Sequence, residues 1–116
     1  MTTTPRGLLI GGSWVEGGGP GYEVVNPATQ AVVGVAPEST ADDARAAAAA
    51  AAEAFPAWSR TAPEERAALL DKVADLLEAR LGELVPLVQA ETGATLAVTT
   101  SLQIPQAITR FRRYAK

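Results

Sequence analysis

"YEVVNPATQAVVGVAPESTADDARAAAAAAAEAF", residues 22–55, changes its pattern halfway along. The first half holds two valine-rich segments, Tyr22–Val25 and Ala31–Val35, on either side of Asn26-Pro27-Ala28-Thr29-Gln30. β-Branched side chains suit a pleated, half-buried surface. Pro27 fixes its own φ, and the Asn26 side chain before it can bond the backbone groups of a turn. The segments read as two strands joined by that turn. In the second half Thr40 supplies a capping hydroxyl, and Asp42 and Asp43 place acids in a first helical turn. Ala46 to Ala52 then has the highest helix propensity available. Phe55 and Trp58 are expected to anchor the far end of that helix. Strands give way to helices, so the fold class is α+β.

The pattern extends in both directions. Towards the N-terminus, Leu8-Leu9-Ile10 and Ser13-Trp14-Val15 flank Gly11-Gly12, a pair that tolerates the positive φ values of a tight hairpin. Residues 1–6 are expected to be disordered. Gly17-Gly18-Gly19-Pro20-Gly21 follows the hairpin and invites comparison with a phosphate cradle. Such a cradle needs a strand, spaced glycines and then a helix whose N-terminus meets the phosphate. Here the glycines lie between two strands, and no Gly-Lys-Ser/Thr follows. The loop reads as a connection.

Towards the C-terminus, Thr61-Ala62-Pro63-Glu64 resembles a second helix start, with Thr61 at the cap and Glu64 at the capping-box position. Leu69, Leu70, Val73, Leu76, Leu77 and Leu81 recur at three- and four-residue spacing, which predicts one apolar stripe. Asp71, Lys72, Asp75 and Glu78 project elsewhere and read as a solvated face, because catalytic acids need a perturbing environment. A third helix is expected to begin near Gly82, with Pro86 close to its start, and to end at Gly93 as a left-handed cap. Thr95 to Ile104 carries mixed signals, since Val98, Thr99 and Thr100 are weak helix formers. Pro105 restarts a helix with Ile104, Ile108, Phe111 and Ala115 on one stripe. Arg110, Arg112, Arg113 and Lys116 surround that stripe. They read as cations favoured by the C-terminal half of a helix, with an acidic partner or RNA as the functional alternative.

Composition removes several chemistries. The 116 residues include no cysteine and no histidine. That excludes disulfides, thiolate ligands and thiol nucleophiles, together with the commonest general base. A net charge of −3 argues against nucleic acid as a partner, because phosphate contacts need clustered cations. No apolar run approaches the ~20 residues that cross a bilayer, and the first residues lack a signal-peptide core. The expectation is a cytoplasmic chain with no membrane partner. Only 5% of residues are aromatic, so alanine carries much of the apolar content and the core should be thin.

The order of these pieces closely resembles the N-terminal portion of the NAD(P)-dependent aldehyde dehydrogenase family. The resemblance runs from about Leu8 to "RFRRYA", and its distinctive pieces are "NPATQ", "AFPAWS", "PEERAALL" and "ETG". It implies N-terminal antiparallel hairpins followed by three to four packed helices. Together these would form a single partial domain over residues 1–116, the N-terminal portion of a Rossmann-like cofactor-binding domain, with the catalytic domain absent.

Family members are longer and oligomeric. They bind NAD or NADP, form a thiohemiacetal on a cysteine, pass hydride to the nicotinamide and hydrolyse the thioester with a glutamate-activated water. None of those residues falls within this sequence, so the resemblance assigns no catalytic, cofactor-binding or metal residue here. Asn26, Pro27, Arg66, Glu91 and Gly93 match family positions in structural roles. Ala94 stands where the family usually has lysine after "ETG", and Pro105 matches only some members.

The final "RFRRYAK" lacks a helix stop signal, and the resemblance implies a continuation into the rest of the cofactor domain. Two functions follow as expectations. In one, the chain is the N-terminal segment of an aldehyde dehydrogenase, inert alone, whose partner is the remainder of such a polypeptide or a full-length homologue. In the other it is a free-standing non-enzymatic α+β interaction module, or a gene remnant, that associates with a full-length dehydrogenase. Stripes richer than their own partners predict that isolated 1–116 exposes apolar surface and associates.

Overall fold

A computed structural model describes residues 7–116, so the expectation of disorder for residues 1–6 lies outside the described residues. The chain divides into two compact units, Met1–Arg60 and Thr61–Lys116.

The first unit holds two antiparallel hairpins and one helix. β1 (Leu8–Ile10) pairs with β2 (Ser13–Val15), Leu8 opposite Val15 and Ile10 opposite Ser13. Gly11 and Gly12 make the turn at φ 59° and 82°. Two successive positive φ values give the hand of turn that matches strand twist, and glycine adopts them without strain.

β3 (Tyr22–Val25) pairs with β4 (Val32–Ala36), with a bulge between Val24 and Val25. Asn26 organises the turn between them, its Oδ1 accepting from the Ala28 N–H at 2.9 Å and the Thr29 N–H at 3.2 Å. The turn closes through Gln30, which sits in the left-handed region at φ 60° and donates its N–H to the Asn26 carbonyl at 2.8 Å. Ala31 therefore belongs to the turn, and the second strand starts one residue later than its valine pattern predicts.

α1 (Ala41–Trp58) starts at the Thr40 cap read from the sequence and completes a capping box, with Thr40 and Asp43 each satisfying the other's backbone N–H. It meets β1 beside the turn, where a Cβ on Gly11 would lie 3.7 Å from the Ala50 Cβ. Alanine permits that approach. The helix also continues through Pro56, which has no N–H for the Ala52 carbonyl. Phe55 and Trp58 do not anchor it, since their side chains are 63% and 45% exposed.

The second unit is helical. α2 (Pro63–Ala79) starts with Ala62 at the cap and no side-chain capping bond, so Thr61 and Glu64 do not form the expected box. Pro63 explains the shift: its fixed φ suits the first helical position, which makes the preceding residue the cap. α3 (Leu81–Thr92) starts at Leu81 and ends on Gly93 at φ 69°. Pro86 lies deeper in α3 than the first turn, and the Gly82 carbonyl it leaves unbonded sits on an exposed residue that water reaches.

The ambiguous stretch after Thr95 resolves into a short helix α4 (Leu96–Val98), a π-helical turn Thr99–Gln103 and α5 (Ile104–Tyr114). The Ile104 N–H reaches back to the Thr99 carbonyl, and Pro105 has no N–H to continue the regular ladder. Thr100 and Ser101 hydroxyls bond the Leu96 and Ala97 carbonyls at 2.8 and 2.6 Å, competing for the same acceptors.

α2 and α5 pack against each other around Ala74, Ile104 and Ile108, with Leu77, Leu81, Leu84, Val85, Val88 and Phe111 against them. The predicted stripe of α2 therefore splits. Leu77 and Leu81 face the core, while Leu69, Val73 and Leu76 remain exposed. Within α2, Ala74 is buried and lies on one line with the half-buried Leu70 and Leu77, at four- and three-residue steps.

Candidate functional site

The glycine-rich loop and the N-terminus of α1 form a densely bonded polar constellation in the first unit. Asp43 Oδ2 accepts the Thr40 N–H at 2.7 Å, the Thr40 hydroxyl at 2.8 Å and the Gly18 N–H at 3.0 Å. These donors hold its carboxyl below the usual carboxylate range, the Thr40 N–H contributing most and the Gly18 N–H next, against a small opposing effect of burial.

The neighbouring Gly19 N–H donates to the Glu38 carbonyl at 3.0 Å. Gly17 passes so close to Glu38 that a Cβ would lie 2.6 Å from its carbonyl oxygen. The glycines are thus needed for close backbone approach.

This arrangement fits poorly with a dinucleotide phosphate. The amides of Gly18 and Gly19 face protein oxygens, and one of these oxygens belongs to an anion of the chain itself. A phosphate at the loop would meet the Asp43 carboxylate. The loop works as a latch that ties the strand connection to the helix cap.

In the second unit the Arg112 guanidinium is the centre of a cluster of ion pairs. Arg112 Nη2 lies 2.9 Å from Asp75 Oδ1 and 2.8 Å from Glu78 Oε2, and Nη1 lies 3.8 Å from Asp71 Oδ1. Bonds to Asp75 and Glu78 raise the pKa of Arg112. Arg112 thus meets its acidic partners on α2 of the same unit. The carboxylates read as a solvated face are exposed, yet all three are drawn towards one cation. No group of three or more acidic, histidine or cysteine side chains is placed to hold a metal among the described residues.

A shallow apolar groove lies beside this contact, lined by Leu70, Ala107, Arg110, Phe111 and Tyr114. Tyr114 is 77% exposed, so its ring is a rim of the groove. The family-matched positions fall elsewhere. Asn26 and Pro27 build the β3–β4 turn, Arg66 donates its N–H to the Ala62 carbonyl in the first turn of α2, and Glu91 and Gly93 sit at the end of α3.

Sequence reasoning missed the Asp43–Gly18 bond and the Arg112 cluster. The first joins residues 25 apart, and the shorter-range signal of Asp43 as a cap acid absorbed its reading. The second had a signal in the three acids at four- and three-residue spacing on α2.

The hairpins, the capped alanine helix and the helical unit recur in known proteins. Residues 14–116 match the model of the aldehyde dehydrogenase family. The chain is 41% identical over 90 residues to human 2-aminomuconic semialdehyde dehydrogenase, covering 78% of this chain and 18% of that protein. It is 47% identical over 88 residues to vanillin dehydrogenase of Pseudomonas fluorescens, covering 75% and 18%. Among solved structures, the NAD+ complex of an aldehyde dehydrogenase from Bacillus cereus superposes with a TM-score of 0.89 at 34% identity, over 97% of this chain and 23% of that one.

The chain belongs to the aldehyde dehydrogenase family, of which it is an N-terminal segment. It spans about a fifth of the length of the relatives it matches. No described helix is long and apolar enough to cross a membrane.

Proposed function

We propose that this chain serves as the N-terminal part of a cytoplasmic NAD(P)-dependent aldehyde dehydrogenase, and that aldehyde oxidation to a carboxylic acid belongs to the assembled polypeptide. The supporting observation is the likeness to the Bacillus cereus enzyme, a structure solved with NAD+, across 97% of this chain. On this reading both units contribute to one cofactor-binding domain, and the remainder of a dehydrogenase polypeptide is their partner.

The chain's own residues supply framework. The Asp43 latch fixes the loop to α1, and Arg112 fixes α5 to α2. Neither unit supplies a nucleophile for the aldehyde carbon, since the sequence has no cysteine and its hydroxyls lack a histidine base. The cofactor and the chemistry are assigned to residues outside this sequence. The chain alone is expected to be inert and to bind neither NAD nor NADP.

The test is complementation. The 116-residue chain is expressed alone, and together with a family member lacking its matching segment. Aldehyde-dependent reduction of NAD or NADP should appear only in the combined sample. Turnover by the purified chain alone would overturn the proposal. Failure of the combination, with both pieces folded and associated, would also count against it.

A further inference from the structure

We draw no further inference here: the strongest candidate, the apolar groove of the second unit lined by Leu70, Ala107, Arg110, Phe111 and Tyr114, carries nothing because nothing in the structure shows what covers it.

Discussion

Arg112 Nη2 lies 2.9 Å from Asp75 Oδ1, joining α5 to α2 across the surface of the second unit. The same nitrogen meets Glu78, one turn further along α2. Nη1, the other arm of the planar fork, lies 3.8 Å from Asp71, so the fixed geometry of the guanidinium spreads its charge over three carboxylates. The side chains remain substantially exposed, 39% for Arg112 and 67% for Asp75, so solvent weakens the attraction.

Replacing Arg112 with Ala is therefore expected to loosen α5 locally without unfolding the unit. Hydrogen exchange should accelerate in α5 and little in α3, and the effect should shrink in molar salt as the pairs are screened. Arg112→Lys should recover only part of the protection. Unchanged exchange in α5 at low salt would show that packing alone holds the helix.

Packing is the stronger constraint at Ala74. Its side chain is fully buried where α2 meets Ile104 and Ile108 on α5. Ala74→Leu adds volume to a closed contact and should cost about 1–3 kcal/mol. Ile108→Ala removes volume from the same contact and should cost about 2–4 kcal/mol. Thermal unfolding followed by circular dichroism would measure both. Destabilisation by both opposite volume changes marks a close-packed contact, and a neutral Ala74→Leu would show that the helices can part.

The Asp43 latch has a direction in pH. Its folded-state pKa is depressed, so its stabilising contribution is fully present above the ordinary carboxylate range. That contribution fades as pH falls through the lowered value, where the carboxylate loses charge and its donors lose their strongest acceptor. An NMR titration should show the Gly18 amide and the Asp43 carboxyl moving together below the ordinary range. Asp43→Asn should remove the transition from Gly18. Titration of Asp43 at or above the ordinary range would contradict the latch.

Local chemistry explains which parts of the fold were legible. Gly11-Gly12, Asn26 and the Thr40 cap act on neighbours within a few residues, and each does in the structure what its type suggests. Gly93 ends α3 for the same reason. Long-range partners left weaker traces. Ala74 is not singled out by any pattern in the sequence, yet it is fully buried where α2 and α5 pack. Leu69, Val73 and Leu76 match the helical period as well as Leu77 does, because spacing defines a face and says nothing about what covers it. Thr61 was a plausible cap until Pro63 is given its preferred place at the first helical position. The glycine loop lacks the motif context of a phosphate cradle, whereas its bond to Asp43 required the fold. On the proposed reading, the thiol nucleophile of aldehyde chemistry was illegible for a simpler reason, since the sequence contains no cysteine.

The exposed apolar side chains lead to the last expectation. Leu69, Val73 and Leu76 follow one face of α2 at four- and three-residue steps, and all three are exposed. In the first unit Leu9 and Trp14, cross-strand partners in the β1–β2 hairpin, are about equally open at 59% and 60%. Contiguous apolar surface on a small chain favours association. Two-stranded sheets add unpaired edges that other strands can extend. The isolated chain should therefore show a mass by light scattering that rises with concentration, and it should bind a hydrophobic dye. A Leu69→Lys, Leu76→Lys double variant interrupts the α2 face without touching Ala74, and should lower the apparent mass while keeping the helical signal. A chain that stays monomeric at high concentration and unfolds in one sharp transition would show that these faces need no cover.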